Sequence, residues 1–274
     1  MKKQDGPYRP IGVFDSGVGG LTVCRKLIET LPSESLLYLG DTARVPYGSK
    51  SAATVVRYAR ACARLLVDGG VKLLVVACNT ASAFALDILA EELEIPVLGV
   101  VEPGARAACL SSSRGRIGVI GTRGVIASNA YVDTIRRLRP EAHVFGAACP
   151  LFVPFAEEGW TEGEAIMSVA RVYLTELLHH DIDTLVLGCT HYPLLRDVIG
   201  AVMGPGIRLV DSAEETAKAV AHILCSRELL VSGSVSAKHV FWVSDAPESF
   251  LKTGERFLGR ALEQVEWVDV CDQK

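Results

Sequence analysis

An α/β fold built on mainly parallel sheets is predicted by three observations. Short apolar runs recur along the chain with helix-length segments between them. Most runs are continuous and β-branched rather than alternating, as in strands buried on both faces of a parallel sheet. Several runs end in turn signals, such as the glycine-rich stretch Asp15 to Gly20 and the pair Gly40-Asp41. The 274 residues, 49% hydrophobic and 22% charged, have the balance of a globular protein with a sizeable core. At roughly 150 residues per domain this is one large domain or two small ones.

The predicted strands come in two series. The first is Ile11 to Phe14, Leu36 to Leu39, Leu73 to Ala77 and Val97 to Val100. The second is Ile117 to Ile120, His143 to Phe145 and Leu185 to Leu187, with Ile207 to Val210 and His239 to Val243 completing the set. Helices are predicted between them. Ser51 to Asp68 has helical spacing and stops at Gly69-Gly70. Ala81 to Leu93, Ser128 to Leu138, Glu164 to His179 and Ala213 to Leu224 read the same way, the last with Asp211-Ser212 as its N-cap. Hinges are expected at Val101 to Gly104 and near Gly204 to Gly206. Nine strands at this spacing fit two α/β units better than one sheet.

Charge and hydropathy exclude several function classes. With 28 Lys+Arg against 32 Asp+Glu, the chain has no basic block and lacks the footprint of a nucleic-acid binder. The start, MKKQDGPYRP, has no apolar stretch of signal-peptide type. The uncharged run Leu73 to Leu86 is too short to span a bilayer. No membrane association and a cytoplasmic location are therefore expected. Eight cysteines are spread without a close C-x-x-C pair, which fits neither a disulfide scaffold nor a zinc knuckle, so no metal is expected. Cys24, Cys62, Cys109, Cys149, Cys225 and Cys271 are read as packing residues.

Cys78 and Cys189 stand apart. The segment Leu73 to Thr80 echoes Thr184 to His191: a buried strand, then a cysteine, then hydroxyl or amide residues before the next helix. Ligands of open parallel sheets bind at the carboxyl ends of strands. A helix N-terminus there is expected to lower the pKa of each thiol and to favour a carboxylate ligand. Two such thiols from two similar units can act as acid and base on opposite faces of one small molecule. Around them, Gly17, Gly19 and Gly20 are expected to let backbone approach a ligand, with Asp15 and Ser16 offering a charge and a hydroxyl. The loop does not have dinucleotide G-x-G-x-x-G spacing, and the chain has no Walker-type G-K-[ST]; Asp15 as a helix cap is the plainer alternative. The loop Gly40 to Gly48, with Asp41 and Tyr47, faces the same edge. His191 can tune Cys189. Glu157 comes after an apolar lead-in, Phe152 to Ala156, and Glu158 is read as solvated.

These motifs resemble the glutamate racemases, within the cofactor-independent aspartate/glutamate racemases. The resemblance rests on Asp15 to Gly20, Gly40 to Arg44 with Pro46-Tyr47-Gly48, Ala77 to Ser82 and Gly188 to Pro193, and extends to Cys149 to Gly159, Val210 to Ser212 and the tail from Val243 to Gly259. His191 stands where the resembling aspartate racemases carry an acid.

The resemblance implies two pseudo-symmetric α/β domains, 1–100 with 210–274 and 101–209, with the active site in the cleft between them. It implies interconversion of L- and D-glutamate by two cysteines without a cofactor, supplying D-glutamate for peptidoglycan and so for cell-wall biogenesis and cell shape. Cys78 would deprotonate D-glutamate and Cys189 L-glutamate. Asp15 would assist Cys78 and His191 would assist Cys189; Glu157 and Asp41 are further acidic positions. Ser16, Tyr47, Gly48, Asn79, Thr80 and Thr190, with Asp15 and His191, would hold the substrate. Dimers are common in that family, so a homodimer is an expectation. An aspartate racemase and a non-catalytic binder of a small acid are the competing readings; a binder needs no paired thiols.

Overall fold

A computed structural model describes residues 6–233, 236–262 and 264–270. Among the described residues, ten strands form two sheets. In chain order they are β1 (Ile11–Asp15), β2 (Leu36–Gly40), β3 (Leu73–Val76), β4 (Val97–Gly99), β5 (Arg116–Gly121), β6 (His143–Ala148), β7 (Thr184–Gly188), β8 (Arg208–Asp211), β9 (His239–Val243) and β10 (Val265–Trp267). The larger sheet has the order β10-β9-β2-β1-β3-β4 and the smaller β6-β5-β7-β8. Every pairing is parallel, so each connection within a sheet must cross over one face, and helices supply the crossovers.

The helices are α1 (Leu21–Thr30), α2 (Ala52–Asp68), α3 (Asn79–Glu92), α4 (Val101–Ser111), α5 (Arg123–Ser128), α6 (Ala130–Leu138), α7 (Phe152–Glu158), α8 (Glu164–His179), α9 (Arg196–Met203), α10 (Ser212–Ser226) and α11 (Pro247–Leu258). The continuous apolar runs have the predicted cause. Along β1 to β3, alternate residues feed opposite faces: Ile11, Val13, Leu36, Tyr38, Leu73 and Val75 enter one core, and Phe14, Leu37, Leu39, Leu74 and Val76 another. The first of these cores also takes in Leu185 and Leu187 of β7, so one apolar mass packs against both sheets.

Register brings the site together. In the larger sheet Asp15 pairs with Gly40, and Phe14 with Val76. The chain therefore leaves β1 at Ser16, β2 at Asp41 and β3 at Ala77-Cys78 on one edge. In the smaller sheet Gly121 pairs with both Gly188 and Ala148, which puts Thr122, Cys189 and Cys149 on one edge as well.

Several features differ from the sequence expectation. Val101 to Gly104, expected as a hinge, is helical: it is the first turn of α4, where Pro103 loses little because early N–H groups have no helical partner. Ser128 to Leu138 is divided between two helices, α5 and α6, broken at Asn129 with φ +57°. Phe152 to Glu158, read from the sequence only as an apolar lead-in followed by two acids, is α7. Strand β10 escapes the apolar-run pattern, since two of its three residues are exposed. Of the cysteines read as packing, Cys24, Cys62 and Cys149 are buried, Cys109 is half-buried and Cys225 is exposed; Cys271 lies outside the described residues. Among the described residues, no helix is long and apolar enough to cross a membrane.

Candidate active site

Cys78 is the N-cap of α3, and its Sγ accepts from the backbone N–H of Ala81 at 3.4 Å. The thiol also lies 3.5 Å from Ser16 Oγ. The expectation that the helix end would make this thiol acidic is overturned. Burial, then the neighbouring Asp15 carboxylate, pushes Cys78 up to about 12, against the smaller opposing pull of Ala81 N–H and Ser16. Cys189 adds to the same upward push. Neither is open to bulk water, at 6% and 7% exposure.

Cys189 ends its strand differently. The chain after it runs through a short 3-10 turn, Tyr192–Leu195, before α9 begins, so Cys189 does not cap an α-helix. Its partner is His191, whose Nδ1 is 3.8 Å from the sulfur. His191 Nε2 meets Glu157 Oε1 at 2.9 Å. Burial alone would lower the imidazole, but the hydrogen bonds to Cys189 and Glu157 outweigh it and hold His191 at about 10. Cys189, His191 and Glu157 thus form a chain from the buried site to a carboxylate that is 41% exposed.

Asp15 is 1% exposed and accepts from Gly17 N–H at 2.9 Å. Burial raises its pKa, moderated by the charge of His191 and by the N–H groups of Gly17 and Gly20. It does not cap α1, whose N-cap is Gly20 with no side-chain bond. Side chains of the protein itself crowd two of the loop glycines. A Cβ at Gly19 would fall within 3 Å of Thr190 Oγ1 and His191 Nδ1, and one at Gly20 would reach Asp15 Cβ. These two glycines leave room for the side chains of Thr190, His191 and Asp15.

Asp41 is fully buried and committed. It accepts from Arg44 Nε at 2.7 Å, from Ser244 Oγ at 2.9 Å and from the Tyr47 hydroxyl. Tyr47 is therefore turned into the core, packed against Phe14 and Tyr58. That leaves its backbone, with that of Gly48, as what this loop can offer a ligand.

Asn79 carries the clearest sign of a missing partner. Its Oδ1 accepts from Tyr131 OH at 2.7 Å, while its buried Nδ2 has no hydrogen-bond partner. A buried N–H donor without an acceptor costs about 1–3 kcal/mol, so its persistence at a strand-end edge points to a ligand oxygen. Thr80 Oγ1 lies 3.0 Å from Thr122 Oγ1. Sequence reasoning passes over Thr122, although it comes directly after β5 and caps α5 by accepting from Val125 N–H; the strand-end rule that finds Cys78 and Cys189 would find it too. Thr190 is held from the other sheet's side by Thr22 Oγ1, 3.2 Å from its carbonyl. A cavity of about 350 Å³ between β5, β6, α5 and α6 includes neither cysteine. Among the described residues, no group of three or more His, Cys, Asp or Glu side chains could hold a metal ion.

The chain matches the family model described as Asp/Glu/Hydantoin racemase over residues 11–220. It is 55% identical to a glutamate racemase from Geobacter metallireducens over 268 residues, covering 98% of this chain and 99% of the relative. Among solved structures, it superposes on the glutamate racemase isoform RacE1 from Bacillus anthracis with a TM-score of 0.93 at 41% identity, covering 96% of this chain and 98% of that one. The glutamate racemase from Francisella tularensis, solved in complex with D-glutamate, gives a TM-score of 0.91 at 38% identity over 96% of this chain and 98% of that one. The paired strand-end cysteines thus lie within a match covering most of the chain, which belongs to the Asp/Glu/hydantoin racemase family.

Proposed function

We propose that this enzyme interconverts L- and D-glutamate by two-base proton transfer, with Cys78 acting on the α-hydrogen of D-glutamate and Cys189 on that of L-glutamate. The observation that carries the reading is the pairing of each buried strand-end thiol with its own titratable partner: Cys78 with Asp15, and Cys189 with His191 and Glu157. The high similarity to glutamate racemases, one solved with D-glutamate, supports the choice of substrate.

The two halves rest in different protonation states. Cys78, held up at about 12, is a thiol ready to donate. His191, held at about 10, is protonated beside Cys189 at neutral pH. In the L-to-D direction Cys189 accepts the α-hydrogen and Cys78 returns a proton to the opposite face. In the reverse direction Asp15 receives the Cys78 proton and His191 gives its proton to Cys189, so that Cys78 accepts the α-hydrogen and Cys189 returns a proton to the opposite face. The α-hydrogen is weakly acidic, so the developing negative charge must be met by aligned donors. Asn79 Nδ2, the hydroxyls of Ser16, Thr80 and Thr190, and the backbone at Tyr47 and Gly48 are assigned to the substrate's polar groups. Asp41 acts indirectly, by fixing the Tyr47 loop. No cofactor is invoked. The larger sheet's unit is assigned 1–100 with 210–274 and the smaller 101–209, acting as one homodimeric, cytoplasmic enzyme that supplies D-glutamate for peptidoglycan.

The direct test is D-glutamate in D₂O with reduced protein and no added cofactor, monitored by circular dichroism and mass spectrometry. Loss of optical activity with deuterium at the α-carbon is expected. Neither signal on glutamate, with both on aspartate, would reassign the substrate.

Glu157→Gln gives a pH prediction. Glu157 raises the His191 pKa, so its removal lets His191 lose its proton at lower pH. The alkaline limb of kcat/KM, expected near pH 10 in the wild type, should move to lower pH in the variant. An unmoved limb would detach Glu157 from the Cys189 half.

A further inference from the structure

The helix α11 lies between β9 and β10 of the larger sheet, yet its last turn reaches the residues that serve Cys189. Arg256 Nη1 donates to the carbonyl of Glu157 at 2.9 Å. Glu157 is in the last turn of α7, where carbonyls have no helical partner, and α7 ends at Gly159 in the left-handed conformation with φ +74°. The Arg256 guanidinium lies so close over Gly159 that a Cβ there would fall within 3 Å of it. The next residue, Phe257, is 1% exposed and packs edge-on against the His191 ring with centroids 5.1 Å apart. Two successive side chains of one helix therefore touch two successive members of the Glu157–His191–Cys189 chain.

We propose that the last turn of α11 is a positioning element for the Cys189 half of the reaction: Arg256 clasps the end of α7 so that Glu157 stays on His191, and Phe257 fixes the plane of the imidazole. This inference rests on the two-base reading above. Arg256 acts through the Glu157 backbone. Its contact is with a carbonyl oxygen, so any side chain that can donate there retains part of the function.

Catalytic efficiency alone cannot reveal this role. Enantiomers have equal free energy, so kcat/KM must be equal in the two directions for every variant. A primary deuterium isotope effect does discriminate. Deuterium at the α-carbon of L-glutamate reports on transfer to Cys189, and deuterium on D-glutamate reports on transfer to Cys78. If loosening α7 slows only the Cys189 transfer, that step becomes more fully rate-limiting. The isotope effect on deuterated L-glutamate then rises and that on deuterated D-glutamate falls towards unity.

The variants are Arg256→Met, which keeps the aliphatic stem that packs on the surface, and Arg256→Lys, which keeps one donor. Arg256→Met is expected to lower kcat/KM about tenfold, within the roughly 10²-fold that a 1 Å misplacement can cost, with the two isotope effects moving in opposite directions. Arg256→Lys should restore most of both. Adding Glu157→Gln to Arg256→Met should cost much less than Glu157→Gln costs alone, because both act on one chain. Isotope effects that stay unchanged, or that move together, would overturn the proposal even in a variant with reduced activity. A wild-type protein that exchanges no α-hydrogen of glutamate would remove the two-base reading itself, a result distinguishable before any variant is made.

Discussion

Cys78→Ser and Cys189→Ser are each expected to abolish racemisation, a loss of at least about 10²–10⁴-fold, the range a positioned acid or base contributes. Serine is the informative replacement at Cys78. This residue caps α3 through Ala81 N–H, and removing a cap costs roughly 0.5–2 kcal/mol. Serine keeps the cap while withdrawing the thiol, so lost activity cannot be ascribed to a frayed helix. The single variants should also differ in what they retain. With Cys78 replaced, Cys189 can still take the α-hydrogen of L-glutamate but must return a proton to the same face. L-Glutamate should then gain α-deuterium slowly in D₂O without inversion, while D-glutamate stays unlabelled. Cys189→Ser should show the mirror pattern. Substantial racemisation by either single variant would sink the two-base scheme.

Much of this arrangement is visible in the sequence because it depends on strand ends. The runs around Leu73 to Ala77 and Leu185 to Leu187 are continuous since their strands are buried on both faces, and the residues just past the end of a parallel strand must face the binding edge. That logic places Cys78 and Cys189 at the ligand-facing edges of their sheets from sequence alone, with Asp15, Asn79, Thr80, Thr190 and His191 at strand ends too. It reaches Glu157 only through resemblance, because α7 is a short helix with an ordinary apolar pattern. It misses Arg256 and Phe257 altogether. Arg256 lies 99 residues from Glu157 in the chain, and both contacts depend on how α11 packs.

The pKa of Cys78 shows why local pattern can mislead. A cysteine at a helix N-terminus is expected to be acidic, and the Ala81 N–H does pull in that direction. The thiol is also buried beside an aspartate, and those two contributions outweigh the helix end. Neither burial nor the Asp15 neighbour can be read from the window around residue 78. They arise when β1 and β3 pair and bring the two strand ends together. The glycines of the first loop give the same lesson. Their pattern suggests a close approach of backbone, but the window does not show that the close neighbour of Gly19 is His191, which is far away in the chain.

Asp15→Asn is expected to lower kcat about 10²–10⁴-fold, the range for loss of a general acid or base, and at the same time to make the protein more stable at neutral pH. The carboxyl group is buried and its pKa is raised above the ordinary value, burial being the main cause. For a group whose folded pKa is raised, the associated stability is fully present below the unfolded pKa and is lost as the pH rises through the folded value. Above that value the wild type keeps a carboxylate away from water, with the charge of His191 and the Gly17 and Gly20 N–H groups as partial compensation. Asparagine retains an oxygen for the Gly17 N–H, 2.9 Å away, and carries no charge to desolvate. The melting temperature of Asp15→Asn should therefore match that of the wild type near pH 4, about the unfolded carboxyl pKa, and exceed it progressively as the pH rises. Opposite signs for activity and stability would mark Asp15 as a group maintained for proton transfer at a structural cost. Equal stability at all pH values would mean that His191 and the loop N–H groups fully offset its burial. A variant less stable at neutral pH would make the carboxylate a structural anchor of the first loop and leave Cys78 without an assigned proton acceptor.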